Sequence, residues 1–271
     1  MMRGRADRGE RRARIVPGLA FLLAACWPLH GFAQPAAGGN QPASVSAYVP
    51  VVGSTLGAND IRWKTQLELD NSGPTEAIVG ISLPAAPDQP LLILTMPPSS
   101  VQRFDDVVGE AFGLERAMSP LLVQTQGRRS VTIRASAYGI RNGEVFRPEP
   151  ISVSYGENYY PIRFLQGLSF SDAYRTNIGL ANLGDREATF VLGLQRVPGR
   201  NLAVSRFTVP PNTLWHQSVQ MLFPMIEAGD DFSVLVETFS RHTFVYASVI
   251  DNATNEAHFV DAVIGAPTQA Q

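Results

Sequence analysis

The amino-acid sequence predicts an all-β protein, built as two tandem β-sandwich domains related by internal duplication and preceded by a secretory signal. Three observations carry this. Short runs alternate apolar and polar residues at the strand period of two; Gly, Pro and Asn punctuate those runs; and the phrase "WKTQLELDNSGPTEAIVGISL" from Trp63 is echoed as "YRTNIGLANLGDREATFVLGL" from Tyr174. The 271 residues leave room for one large domain or two ordinary ones, so length does not choose and the echo does.

The chain opens on "MMRGRADRGERRAR", with six Arg against Asp7 and Glu10, and continues into the apolar "IVPGLAFLLAACWPLHGFA". A charged segment, an apolar segment and a small-residue site in that order read as an export signal over residues 1–33, with cleavage after Ala33 leaving Gln34 as the new N-terminus. A membrane anchor is the competing reading, but Pro17, Pro28 and His30 interrupt the run short of the ~20 apolar residues that a spanning helix needs. Leu23-Ala24-Ala25-Cys26 offers a second processing site, a lipobox at which Cys26 would be acylated; the apolar "WPLHGFA" after it favours Ala33. Cys26 is the sole cysteine, so the mature fold is expected to hold no internal disulfide and no thiolate metal site.

Residues 34–46, "QPAAGGNQPASVS", lack periodicity and read as a flexible linker. The first domain is expected over 47–150. In it Trp63, Thr65, Leu67 and Leu69 alternate with Lys64, Gln66, Glu68 and Asp70, "NSGPT" turns the chain, and Ala77, Val79, Ile81 and Leu83 form the next apolar face. The second domain, over 151–265, repeats this with Tyr174, Thr176, Ile178 and Leu180, the turn "NLGDR", then Ala188, Phe190, Leu192 and Leu194. Each position stands 111 residues after its counterpart, and the offset grows to 113 at "TMPPSSV" and "TVPPNTL". A period that long suits duplicated domains rather than stacked solenoid repeats of roughly 20–50 residues. One short helix interrupts each half, capped by Asp105 or Asp106 in "FDDVVGEAFG" and by Ser218 in "HQSVQMLFP", while Asn142-Gly143 marks a hairpin turn. About seven strand runs per half indicate an immunoglobulin-like sandwich without the Cys and Trp signature of antibody domains. Residues 266–271 read as a disordered tail.

The phrases "WKTQLEL" with "NSG", "PPSS" and "DDVVGEAFG", then "YRTNIGLANLG", "TVPPN" and "YASVIDNATNEAHF", resemble a tandem β-sandwich repeat family of exported bacterial proteins of uncharacterised function. The resemblance covers nearly everything after residue 47. It implies architecture and export, and supplies no catalytic or ligand motif.

Charge excludes one class of function. The formal charge of −2 includes the basic leader; removing its six Arg and two carboxylates leaves 16 basic and 22 acidic residues, a net charge near −6. An acidic surface repels phosphate backbones, so no nucleic-acid partner is expected, and Lys64, the only lysine, rules out a polybasic lysine patch. A membrane is expected as a partner only through a lipid on Cys26.

No metalloprotease helix, nucleophile elbow or paired metal-ligand spacing occurs around His216, His242 and His258. No catalytic residue, metal or cofactor is therefore expected; Asp105-Asp106 and Asp230-Asp231 read as a cap and a turn rather than as calcium ligands. Two candidate binding features remain. Arg128-Arg129 and Arg241-His242 mark equivalent hairpin tips, which read either as a basic recognition loop formed twice or as solvated turns. Trp215 matches Gln102 in the first half, so the shared fold does not require it: exposed it would stack on a sugar ring or partner surface, buried it would fill the second core. The expected function is an exported, non-enzymatic structural, adhesive or binding module, periplasmic, at the cell surface or extracellular, with a protein or glycan as partner. The alternatives are a carbohydrate-binding module centred on Trp215, and a periplasmic pilus-type chaperone, which would need a long apolar edge strand and a basic anchor in a cleft.

Overall fold

Antiparallel strands make up nearly all the regular structure. The structure, a computed structural model, describes residues 45–126, 131–156, 160–197 and 200–265. The export signal, Cys26, most of the linker, the Arg128-Arg129 tip and the tail lie outside the described residues. Among the described residues no helix is long and apolar enough to cross a membrane.

The first half contains β1 (Val45–Leu56), β2 (Arg62–Asn71), β3 (Ala77–Ser82), β4 (Leu92–Met96), β5 (Ser100–Phe104), β6 (Ala117–Gln126), β7 (Val131–Arg141), β8 (Glu144–Val145), β9 (Glu149–Ile151) and β10 (Ser154–Tyr155). Their sheet runs β4-β3-β6-β1-β2-β7-β8, with β5 also on β2 and β9 on β7. It turns a corner at β1, which pairs with β6 from Val45 to Ser54 and with β2 from Ser54 to Leu56, its register shifting between Val49 and Val52. That bend lets one sheet wrap both sides of a single core.

The second half contains β11 (Ile162–Phe170), β12 (Tyr174–Asn182), β13 (Ala188–Val197), β14 (Arg200–Val209), β15 (Thr213–Ser218), β16 (Gly229–Glu237), β17 (Thr243–Asp251), β18 (Ala257–Asp261) and β19 (Val263–Ile264). Two sheets, β14-β13-β16-β11-β19 and β15-β12-β17-β18, enclose its core.

The alternation read from the sequence is the alternation of burial except at the residue that opens the first run of each half, where Trp63 is only partly buried and Tyr174 is exposed because each stands at the strand end. Thr65, Leu67 and Leu69 are buried along β2 while Gln66, Glu68 and Asp70 are not; Ala77, Val79, Ile81 and Leu83 are buried, as are Ala188, Phe190, Leu192 and Leu194. The strand-ending asparagines have one job. Asn71 Nδ2 donates to the carbonyls of Thr75, Met96 and Pro97 while its Oδ1 accepts the Gly73 amide. Asn182 does the same with Arg186, Val209, Pro210 and Gly184. Each fully buried amide thus satisfies carbonyls that the turns would otherwise leave bare. Asp106 caps a single helical turn at Val107–Ala111 through the Gly109 amide, and Ser218 caps Val219–Leu222 through the Met221 amide. Asn142 and Gly143, both at positive φ, close the β7-β8 hairpin.

The sheet β15-β12-β17-β18 is covered on both faces. Ile178, Leu180, Val245 and Ala247 face the second core, whereas Tyr246, with the partly buried Leu214 and Phe259, packs into the first. Phe244 meets Tyr48 of β1 with ring centroids 5.2 Å apart, and Asn59 donates to Asn255 at 3.1 Å. The two halves therefore share apolar surface.

Candidate functional site

Where β1 and β2 approach the outward face of β12, β15 and β17, they leave a cleft of about 380 Å³. The strand period places its lining. Arg175 and Asn177 on β12 point away from the second core because Thr176 and Ile178 point into it; Tyr246, Ser248 and Ile250 do likewise on β17, and His216 on β15. Val51, Met118, Ile151, Trp63 and Phe259 complete a largely apolar wall.

Two cations line this cleft at positions 111 residues apart, Lys64 and Arg175. Their surroundings differ. Lys64 Nζ lies 3.0 Å from Asp106 Oδ2, which also accepts from Ser54 Oγ at 3.0 Å, while Oδ1 of the same carboxylate accepts the Gly109 amide. One buried aspartate therefore caps a helical turn and neutralises the lysine. In the second half the capping residue is Ser218, which brings no charge. Arg175 donates from Nη1 to the neutral amide oxygen of Asn252 at 2.6 Å, and Asn252 is held in turn by the Asp172 carbonyl at 2.9 Å. Burial lowers the pKa of this guanidinium from its ordinary value.

His216 and Tyr246 form the floor. The Tyr246 hydroxyl and His216 Nδ1 share a hydrogen bond of 2.9 Å, and the phenol ring stacks on Phe259 at 4.9 Å. Burial pushes the His216 imidazole down to about 4 and the Tyr246 phenol up, so both are neutral near pH 7. Tyr246 lies flat over Gly179, where a Cβ would come within 2.1 Å of its ring.

Of the candidates named from sequence, the described ones, Trp215, Arg241 and His242, lie elsewhere. Trp215 faces the second core, partly buried, its ring 4.5 Å from that of Phe207; its neighbour His216 points into the cleft. Arg241 is exposed, and His242, at φ +55, accepts the Leu183 amide through its carbonyl. Neither lines the cleft. Sequence reasoning missed Arg175, His216 and Tyr246 as a group. The one signal was on β17, whose outward positions Phe244, Tyr246 and Ile250 are aromatic or apolar where solvent-facing ones would be polar; Arg175 and His216 carried none. Among the described residues, no group of three or more His, Cys, Asp or Glu is placed to hold a metal ion.

Comparison with protein-family models and with curated proteins returns no match to this chain.

Proposed function

We propose that the protein is an exported, non-enzymatic binding module at the cell surface or in the periplasm, made of two immunoglobulin-like sandwiches that arose by duplication, with the cleft between them as its binding site. The cleft carries the reading. At about 380 Å³, with apolar walls and a few convergent polar groups, it has the size and character of a small-molecule site. The identical carbonyl clasps of Asn71 and Asn182 and the paired caps Asp106 and Ser218 support duplication. Binding is favoured over catalysis because a histidine with a pKa of about 4 is a weak proton acceptor near neutral pH, and the phenol beside it is a correspondingly reluctant donor. The tilt of Trp215 against Phe207 in the second core weakens the carbohydrate reading, which asks for an open aromatic platform.

The test is titration with the neutral apolar fluorophore N-phenyl-1-naphthylamine. Saturable enhancement at one site per chain is expected for the wild type. Ala257→Trp, which projects an indole into the cleft from β18, is expected to abolish it. Equal enhancement in both proteins would overturn the assignment of the site.

A further inference from the structure

We infer that the occupant of this cleft is a small carboxylated amphiphile whose head group seats on Arg175, an inference that rests on the cleft being a binding site. The asymmetry between the two cations points there. Lys64 already has its counter-ion in Asp106, so it presents little free charge to a ligand. Arg175 occupies the matching position, is partly buried, and gives one hydrogen bond, to a neutral amide. Among the described residues it has no carboxylate within ion-pairing distance. A guanidinium offers five N–H donors in a planar fork, and removing it from water without an anion is unfavourable. A carboxylate entering the cleft would take two parallel N–H bonds from the fork and supply the missing charge.

The remainder of the cleft defines the rest of the ligand. Val51, Met118, Ile151, Ile250 and Phe259 make most of the remaining wall apolar, with Thr55, Asn177 and Ser248 adding a few polar groups, while His216 Nδ1 and the Tyr246 hydroxyl are taken up with each other. An apolar body is what such walls accept. A volume of 380 Å³, against roughly 30 Å³ for a water-sized group in a liquid, holds about a dozen non-hydrogen atoms. A straight-chain carboxylate of the size of decanoate meets that limit. A phosphate or sulfate alone would leave the apolar walls wet, and a neutral alkane would leave Arg175 without an anion.

The experiment is calorimetric titration at pH 7.5 with decanoate and, separately, 1-decanol, against wild type, Arg175→Gln, Arg175→Lys and the occluded Ala257→Trp, each checked for an unchanged melting transition. Wild type is expected to prefer decanoate by about ten-fold or more, the worth of one charge-assisted contact. R175Q should remove most of that preference by weakening decanoate and leaving decanol within about two-fold, and R175K should keep part of it. If decanol and decanoate bind equally to wild type, or if R175Q leaves their ratio unchanged, the head-group assignment is overturned while the cleft stands. If neither ligand binds wild type, or both bind A257W as well as wild type, the binding-site reading fails with it.

Discussion

His216 is the side chain whose charge the fold controls most directly. Packed against Tyr246 and sharing a hydrogen bond with its hydroxyl, it has a folded pKa of about 4, against 6.5 in the unfolded chain. Between those values the unfolded chain takes a proton that the folded protein refuses. The His216 contribution is therefore complete above pH 6.5 and is lost as pH falls from 6.5 toward 4, with an upper bound of about 3 kcal/mol for a shift of this size. The next loss comes lower: the Asp251 carboxylate, held below its usual range by the Thr254 and Ala253 amides, gives up its contribution only as pH falls below 3.8. Urea midpoints measured from pH 7 to pH 4 should decline for wild type and decline much less for His216→Gln; parallel curves for the two proteins would show that the burial of His216 is not the cause. Residue roles of this kind were unevenly legible. Asn71 and Asn182 could be assigned to backbone bonding because each ends an alternating run just before a turn, where a short amide reaches bare carbonyls. His216 could not, because nothing local distinguishes a histidine facing solvent from one facing another half of the molecule.

Strands carry that distinction when two of them are compared. β7 reads VTIRASAYGIR and buries alternate residues through its first five positions, with Thr132 and Arg134 exposed; β17 reads TFVYASVID and is buried without a break from Thr243 to Ser248. Arg134 on β7 pairs with Glu68 on β2 at 2.6 Å. The positions that match this ion pair hold Tyr246 and Gly179, and the phenol ring lies where a side chain at 179 would stand. The all-β class, the paired runs and both caps followed from strand period and turn chemistry, which are local. The second coverage of β12 and β17 did not, because a strand buried on both faces shows only as a continuous apolar run, and the run does not say what lies against it. Gly179→Ala tests the arrangement. Its Cβ would fall about 2 Å from the Tyr246 ring, so the ring must move, and overpacking of this kind costs about 1–3 kcal/mol. In urea titration that loss should shrink markedly when Tyr246→Ala is made in the same chain, since the clash then has no partner. Additive losses would mean that the ring is not what excludes a side chain at 179.

At the scale of the whole molecule, Tyr246 belongs by chain to the second half and by packing to the first. It is 1 % exposed and joins the first core with Leu214 and Phe259, while Phe244 on the same strand face reaches Tyr48. An interface built from buried aromatic rings couples the two cores more strongly than a polar linker contact would, so the halves should unfold together even though each has its own sheet pairing. The chain from Gln34 onward contains two tryptophans that report on the two sides separately, Trp63 beside the cleft on β2 and Trp215 against the second core. Trp63→Phe and Trp215→Phe each leave one reporter in place. Urea unfolding followed by the fluorescence of either variant should trace a single sigmoid, and intact protein should show the two signals changing together. Truncating the shared ring removes the coupling: Tyr246→Ala is expected to cost about 3–5 kcal/mol overall and to move the Trp63 transition to lower urea than the Trp215 transition. The same separation should open the cleft, so N-phenyl-1-naphthylamine binding should fall along with the Trp63 signal rather than the Trp215 signal. Separate transitions already present in wild type would mean that the cleft is a gap between two independent bodies instead of a site their union creates, and transitions that stay superimposed after Tyr246→Ala would mean that contacts other than this ring couple the halves.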